Sequence, residues 1–513
     1  MTTPPSYSQR GAVAALVAAF LGWLFDGFEM GLFPLIGQPA LQDLLPAETA
    51  LVRGQWFTVI IAVFLVGAAT GGVLFGWLGD KLGRVKAMTL AIFTYAIFTG
   101  LSAFVTQPWQ FAGLRFTAAL GMGGDWSLGV ALVNEVWGGR NRGWIAGLIG
   151  AASNIGFLLT GVLSLKLNES LAQVTQGLAA IGISTETANY LLHNRAWRFL
   201  AISGALPALI NFFILAFVHE SPRWQEEKSA GRTSQWAPLD LAGVAIAALA
   251  GMGIIAIWSP LVTVGNAVAI PATLLGLAIA LWGYLLPVRN YLRRTESAGN
   301  LVAGERSTIL RHLLIGAALA GVALLGTWGS VQQAAKWASG LVPTSSRVPI
   351  IEYTVIATAL GAILIAFLAP LVADRLGRRT TFTLLSVCSL GIALAFFQTN
   401  HVFVDGVVST WFYVSAFLMG GLTASFYGFF PLYFPELFPT SVRATGQGFC
   451  YNFGRLLAAI GSLQIANLTG LFTRSDLTPV QISANAYSIL SCIYLAGLVL
   501  IRFAPETKGR ALT

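Results

Sequence analysis

The sequence predicts an all-α membrane protein: two six-helix bundles joined by two further central spans, fourteen spans in all. Three observations predict it. The 513-residue chain is 56% hydrophobic and only 10% charged, with a mean hydropathy of +0.73. Its apolar residues gather into stretches long enough to cross a bilayer. The same charged landmarks also occur twice, in the same order.

Composition comes first. A soluble domain carries about 25% charged residues, so a chain this apolar cannot clothe itself for water, and lipid is its expected solvent. The net charge of +9 has no basic stripe interleaved with stacking aromatics, as nucleic-acid binding would want. It is read instead as the positive excess of cytoplasmic loops. Cys388, Cys450 and Cys492 fall in apolar stretches, without metal spacing or a disulfide framework, and are read as small buried residues. The first apolar run is too long for a signal peptide, so no cleavage is expected. No lysine follows a glycine, which excludes a P-loop and a nucleotide-driven pump. Clustered nucleophiles and metal-spaced histidines are missing too, so neither an enzyme nor a cofactor or metal site is expected. A channel would want a selectivity filter or a ring of repeated charge, and neither is found.

A span needs about 20 apolar residues. In order, the first half offers 12–37, 54–78, 87–105, 109–134, 143–166 and 197–218. Two spans follow at 238–260 and 267–288, almost uncharged apart from Asp240, and are expected as a lipid-facing hairpin. The second half offers 309–335, 350–373, 380–398, 407–433, 443–469 and 483–503. The predicted domains are 1–224, 225–304 and 305–513. With the N-terminus inside, most of the 30 Lys and Arg fall on the cytoplasmic side, among them Lys81, Arg84, Arg140, Arg142, Arg293, Arg294, Arg375, Arg378 and Arg379. Fewer fall outside: Arg53, Lys166, Arg195, Arg198, Lys336, Arg347 and Arg474. That bias predicts a multi-pass protein with both termini cytoplasmic. Trp109 and Trp197, at span ends, are expected as interface anchors.

The repeat is explicit. GWLGDKLGRVK (76–86) in the first half answers PLVADRLGRRT (370–380) in the second. Glu135 precedes Arg142 by seven residues, and Glu436 precedes Arg443 by seven. The halves end in HESPRW (219–224) and APETKGR (504–510). Such repeats are common in secondary transporters, with the substrate site between them near the midplane. Glycines 67, 71, 72 and 76, and 143 and 147, fall at small-xxx-small spacing and allow close helix approach.

GWLGDKLGR and VADRLGRR resemble the loop signature of the major facilitator superfamily. HESPRW and PETKGR resemble the ends of the halves in sugar porters and related metabolite–proton symporters. PELFPTSVRATGQGFCYNFGR (435–455) is similar to the matching segment of the sialate and organic-acid symporter branches, as GMGGDWSLG (121–129) is to their GGEW stretch, with Asp125 for Glu. The fourteen-span layout resembles sialate–proton symporters. Two departures stand out: Pro370 replaces the expected first glycine of the second signature, and Gln332 and Gln333 lack the asparagines that follow them in sugar porters. The resemblance implies the major facilitator fold and a secondary carrier working by alternating access, here expected as a monomer in a bacterial inner membrane. It also implies a proton-linked pair of an Asp on span 1 and an Arg on span 4, positions that Asp26 and Arg115 match.

Ionisable groups inside a span cost about 2.5–3.5 kcal/mol each on insertion scales. Five are predicted there: Asp26, Glu29, Arg115, Asp125 and Arg455. His193, His219, His312 and His401 lie near ends or in loops, so a buried proton carrier is expected to be a carboxylate. Asp26 and Glu29 share roughly one helix face, and two nearby carboxylates resist joint ionisation. They are the proton-coupling candidates, with Arg115 tuning Asp26, pairing with one of the two, or binding a substrate carboxylate directly. Asp125 is expected to contact cytoplasmic-loop arginines. Arg455 offers a planar fork for a carboxylate, and Asn154, Gln332, Gln333 and Asn452 add hydrogen-bonding groups. Tyr427, Phe430 and Tyr433 could form an apolar wall. Asp80, Arg84, Glu135, Arg142, Asp374, Arg378, Glu436 and Arg443 are expected to latch the cytoplasmic side. The expected cargo is a small organic anion, sialate or another carboxylate, moved with a proton. A sugar or polyol is the alternative, an aromatic acid a third option, and a non-transporting nutrient sensor the least favoured reading.

Overall fold

The computed structural model describes residues 9–137, 141–259, 262, 264–301, 304–343, 348–403, 407–474 and 476–510. Arg140 and Arg347, used above for orientation, lie outside them. The described residues are helical with no strand, as lipid demands, because a helix satisfies its own backbone polar groups. The first half holds α1 (Gln9–Leu44), α2 (Ala50–Leu82), α3 (Arg84–Leu101), α4 (Pro108–Trp137), α5 (Arg142–Glu169), α6 (Leu171–Ala180), α7 (Thr185–Ser203), α8 (Ala208–Phe217) and α9 (Pro222–Ser229). Between the halves lie α10 (Leu241–Trp258) and α11 (Asn266–Ser297). The second half holds α12 (Glu305–Gly329), α13 (Val331–Ala338), α14 (Ile350–Leu376), α15 (Arg378–Thr399), α16 (Thr410–Ala424), α17 (Phe426–Tyr433), α18 (Arg443–Leu463), α19 (Ile465–Phe472), α20 (Pro479–Ser491) and α21 (Ile493–Leu500).

Among the described residues, 12 helical stretches are long and apolar enough to cross a membrane. Two of the fourteen expected spans are not among them. The stretch 197–218 is broken: α7 ends at Ser203 and α8 begins only after Pro207, which has no N–H to continue a helix. The stretch 443–469 divides into α18 and α19, and α18 carries Arg443, Gln447, Asn452 and Arg455, all buried.

One hydrophobic core runs through both halves, with a smaller cluster in the second, and two seams join the halves. Along one, α2 lies against α18; along the other, α5 lies against α14. Small residues set both distances. A Cβ on Gly76 would sit 2.9 Å from Ala444 O, and one on Gly147 would crowd the backbone of Phe367. Gly67 and Gly71 do the same work within the first half, where α4 presents Phe116 and Leu120 to α2.

The central hairpin holds the two least buried of the candidate spans among the described residues, in keeping with a lipid-facing hairpin, and its inner face packs on the bundles. α10 packs on α2 and also touches α18. Gly251 lies beside Val66 of α2 and Leu456 of α18. A buried bond of 2.8 Å joins Thr70 Oγ1 to the Tyr284 hydroxyl. Only the outer faces, with Leu249, Leu274 and Leu275, are exposed. Asp240 pairs with Arg294, and Trp236 stacks on Tyr291 at 4.2 Å.

Two smaller expectations change. Cys450 is buried, but Cys388 and Cys492 are exposed, since lipid receives a small apolar side chain as readily as a core does. Trp109 is exposed as an anchor would be, whereas Trp197 is buried and donates its indole N–H to Asp43 Oδ2 at 2.7 Å.

Candidate functional site

The repeated landmarks converge on one end of the molecule. The turn from α2 into α3 passes through Gly83 at φ +115°, a backbone region that disfavours other residues. The Glu220 carboxylate occupies the space a Cβ there would need. It accepts the first two N–H groups of α3, from Arg84 (2.9 Å) and Val85 (3.1 Å). In the second half Gly377, at φ +92°, repeats the turn. Glu506 accepts from the N–H groups of Arg378 (3.0 Å) and Arg379 (3.1 Å).

The side chains repeat as well. Arg84 donates to Asp80 Oδ1 (2.7 Å) and, as a fork, to Glu135 (2.9 and 3.3 Å). Arg378 donates to Asp374 Oδ1 (3.0 Å) and forks onto Glu436 (2.6 and 3.0 Å). The halves then reach across to each other. Arg443 pairs with Glu135 at 3.3 Å, and Arg142 with Glu436 at 3.0 Å. Asp80 accepts from the N–H groups of Ala444 (3.3 Å) and Thr445 (2.9 Å) and from the Thr445 hydroxyl, at the first turn of α18. All eight residues expected in a latch therefore lie in two mirrored clusters.

A second constellation lies midway along the helices. Arg115 pairs with Glu29, which also accepts from Thr99 Oγ1 at 3.2 Å. Arg115 does not pair with Asp26: Glu29 sits almost a turn further along α1 and has the longer side chain. Neither carboxylate oxygen of Asp26, fully buried, has a hydrogen-bond partner. The charges acting on Asp26 are those of Asp125, Arg455 and Glu29. Asp125 lies against Gly22 of α1, one helical turn from Asp26, and pairs with no loop arginine among the described residues.

From the second half, Arg455 Nη1 donates to Asn452 Oδ1 at 2.8 Å, and its guanidinium lies 5.1 Å from the Tyr451 ring. Its Nε has no partner, and it forms no ion pair with a carboxylate among the described residues. Asn452 donates across the seam to Gly123 O at 2.8 Å. The bond ties α18 to α4, so Asn452 holds the two halves together as well as orienting Arg455.

The uncharged candidates separate. Gln332 lines a small cavity of about 20 Å³ together with Arg115, Phe57, Phe64 and Trp328. Gln333 is buried on the same short helix. Asn154 is turned onto its own helix, donating to Gly150 O at 3.0 Å. Tyr427 and Phe430 approach Tyr451 at 6.3 and 6.2 Å. Tyr433 does not join them: its hydroxyl donates to Pro505 O at 2.8 Å, near the ion-pair clusters. Sequence reasoning missed the stack of Trp126 on Tyr451 at 4.0 Å, with Trp23 beside it. These rings frame Asp26 and Arg455. Their signal was the adjacency of Trp126 to Asp125 and of Tyr451 to Asn452, which aromatic packing within a span imitates.

The family model described as "Sugar (and other) transporter" matches residues 14–237 and 289–513. The chain is 26% identical over 502 residues to a Cupriavidus pinatubonensis protein named "Probable 4-methylmuconolactone transporter", covering 96% of this chain and 91% of that one. It is 25% identical over 461 residues to the cis,cis-muconate transport protein of Acinetobacter baylyi, covering 88% and 87%. The structure of the proton:xylose symporter XylE superposes with a TM-score of 0.63 at 18% identity, covering 99% of this chain and 98% of that one. At that identity the match concerns the fold alone.

Proposed function

Because the chain belongs to the Sugar (and other) transporter family, we propose that it carries a small organic anion together with a proton, by alternating access of its two halves. The observation that carries this reading is Arg455. It is a buried cation with an unpartnered Nε and no ion pair among the described residues. Leaving a buried charge uncompensated is expensive, and a substrate carboxylate would compensate it through a forked pair. The relatives are named for muconate and a muconolactone and none of those reported for sialate, which favours such acids over sialate. Gln332 and Asn452 would then orient the rest of the cargo.

Asp26 is the proton carrier in this reading. It is buried, faces Arg455, and has no donor to hold its charge. Binding of an anion at Arg455 removes the positive field that favours ionised Asp26, so proton and anion enter together. Glu29 and Arg115 neutralise each other and set the local field. The two mirrored clusters latch the cytoplasmic end, and rocking of the halves breaks the Arg443–Glu135 and Arg142–Glu436 pairs. Both termini lie in the cytoplasm. The stretches 197–218 and 443–469 also cross the bilayer, which restores fourteen spans; the burial of α18 against α2 and α12 supports that count. The bacterial relatives support an inner-membrane location.

The test uses purified protein in liposomes with an inward proton gradient. Labelled cis,cis-muconate should accumulate in wild type. Asp26→Asn should abolish gradient-driven accumulation but retain exchange, and Arg455→Ala should lose both. Glucose uptake untouched by Arg455→Ala would overturn the anion reading.

A further inference from the structure

A cleft of about 430 Å³ opens at the end opposite the Arg84 and Arg378 clusters, a size suited to a small solute. Both halves line it. The start of α2 supplies Gln55 and Thr58, α13 supplies Lys336, the end of α18 supplies Ser462, and α20 supplies Ser483 and Tyr487. Lys336 is its one charged lining residue, and no acidic residue lines the cleft among the described residues. Hydroxyls and an amide around one cation make a surface that would solvate a carboxylate.

What lies beneath gives the cleft a direction. The Lys336 ammonium sits 5.9 Å from the Phe57 ring. Phe57 also walls the small cavity that holds Arg115 and Gln332. Gln332 and Lys336 are four residues apart on α13, and so share one face. Arg115 is buried, and its Nε has no hydrogen-bond partner. Arg115 is already paired with Glu29, so the cations left for an anion are Lys336 in the outer cleft and Arg455 deeper in.

We propose that this cleft is an outer capture site for organic anions, in which Lys336 binds the carboxylate before Phe57 and Gln332 yield and let it pass inward towards Arg455. The inference rests on the organic-anion reading and extends it to a second site. A long side chain that only carries its charge out to the membrane surface would have no bearing on anion affinity.

Two measurements test it. In a Cys388→Ser, Cys492→Ser background, Thr58→Cys places a thiol in the cleft. Its reaction rates with sulfonate-bearing and trimethylammonium-bearing ethyl methanethiosulfonates are compared. Lys336→Gln should lower the anion-to-cation rate ratio about fivefold, and raised salt should do the same to the parent. In liposomes, Lys336→Gln should raise the KM for cis,cis-muconate about fivefold with maximal rate retained, and Lys336→Arg should restore it. An unchanged rate ratio, or an unchanged KM, overturns the capture site. If the ratio shifts as expected while wild type shows no proton-driven muconate uptake, the symport reading fails and the anion site stands.

Discussion

The two ion-pair clusters are built to one plan and finished differently. In the first half Asp80 is buried and grasped by the first turn of α18 from the opposite half. In the second, the Asp374 side chain is 43% exposed; it lies beside Gly143 of α5, and among the described residues it pairs with Arg378 of its own half. The arginines that cross differ likewise: Arg443 is fully buried, whereas Arg142 is partly exposed. Where the first signature has Gly76, letting α2 close on Ala444 and Thr445, the second has Pro370. A duplicated sequence has thus produced one sealed lock and one wetter one. Charge pairs in dry surroundings are coupled more strongly than pairs in contact with water, so the α2–α18 seam should govern the closed state.

The largest expected effect comes from removing the central arginines. Arg84→Ala leaves Asp80 and Glu135 buried together and should cost about 3–5 kcal/mol of stability. Arg378→Ala should cost about 1–3 kcal/mol, because Asp374 turns to solvent where Asp80 cannot. Thermal unfolding of the purified variants in detergent measures both. Equal losses would break the comparison.

Next in size is the latch itself. Asp80→Asn weakens the grip of α18 without emptying the site, and should favour opening at that end by about 1.5–3 kcal/mol. Asp374→Asn should change it little. The rate of thiol labelling at Ala444→Cys, in the background without Cys388 and Cys492, reports opening along this seam. Faster labelling in the Asp374 variant than in the Asp80 variant would reverse the ranking.

The smallest effect concerns the helix caps. Burial pushes the Glu220 carboxyl above its ordinary value, and the N–H groups of Ser221, Arg84 and Val85 only partly offset it. Burial acts on Glu506 too, but hydrogen bonds from the N–H groups of Arg378, Arg379 and Lys508 outweigh it and hold that carboxyl below its ordinary value. The signs therefore oppose. Glu506 adds stability above the ordinary carboxylate range, and loses it as pH falls through its lowered folded value. Glu220 adds stability below that range, and loses it as pH rises through its raised one. Glu506→Gln should accordingly lower Tm near neutral pH more than Glu220→Gln does, and the gap should close in acid.

The sequence revealed the clusters because charge is rare in this chain: a DKLGR or DRLGR turn stands out against apolar surroundings, and repetition confirms it. It placed the two mid-membrane carboxylates on one helix for the same reason. Which of them meets Arg115 was not legible, because three residues separate Asp26 from Glu29 and helix rotation decides between them. Trp126 and Tyr451 were hidden by their own commonness, since an aromatic in a span is ordinarily packing. The two displaced spans have physical causes also: Pro207 interrupts one, and the polar face α18 turns to the seam makes it look unlike a membrane helix. The hairpin gave no sign of its inner contacts, because Thr70 and Tyr284 reveal a bond only when brought together.

The cavity beside Arg115, about 20 Å³ in volume, has room for roughly one water molecule. Protons cross membranes along chains of water, and one molecule is no chain. In this shape the space beside Arg115 has no room for such a file.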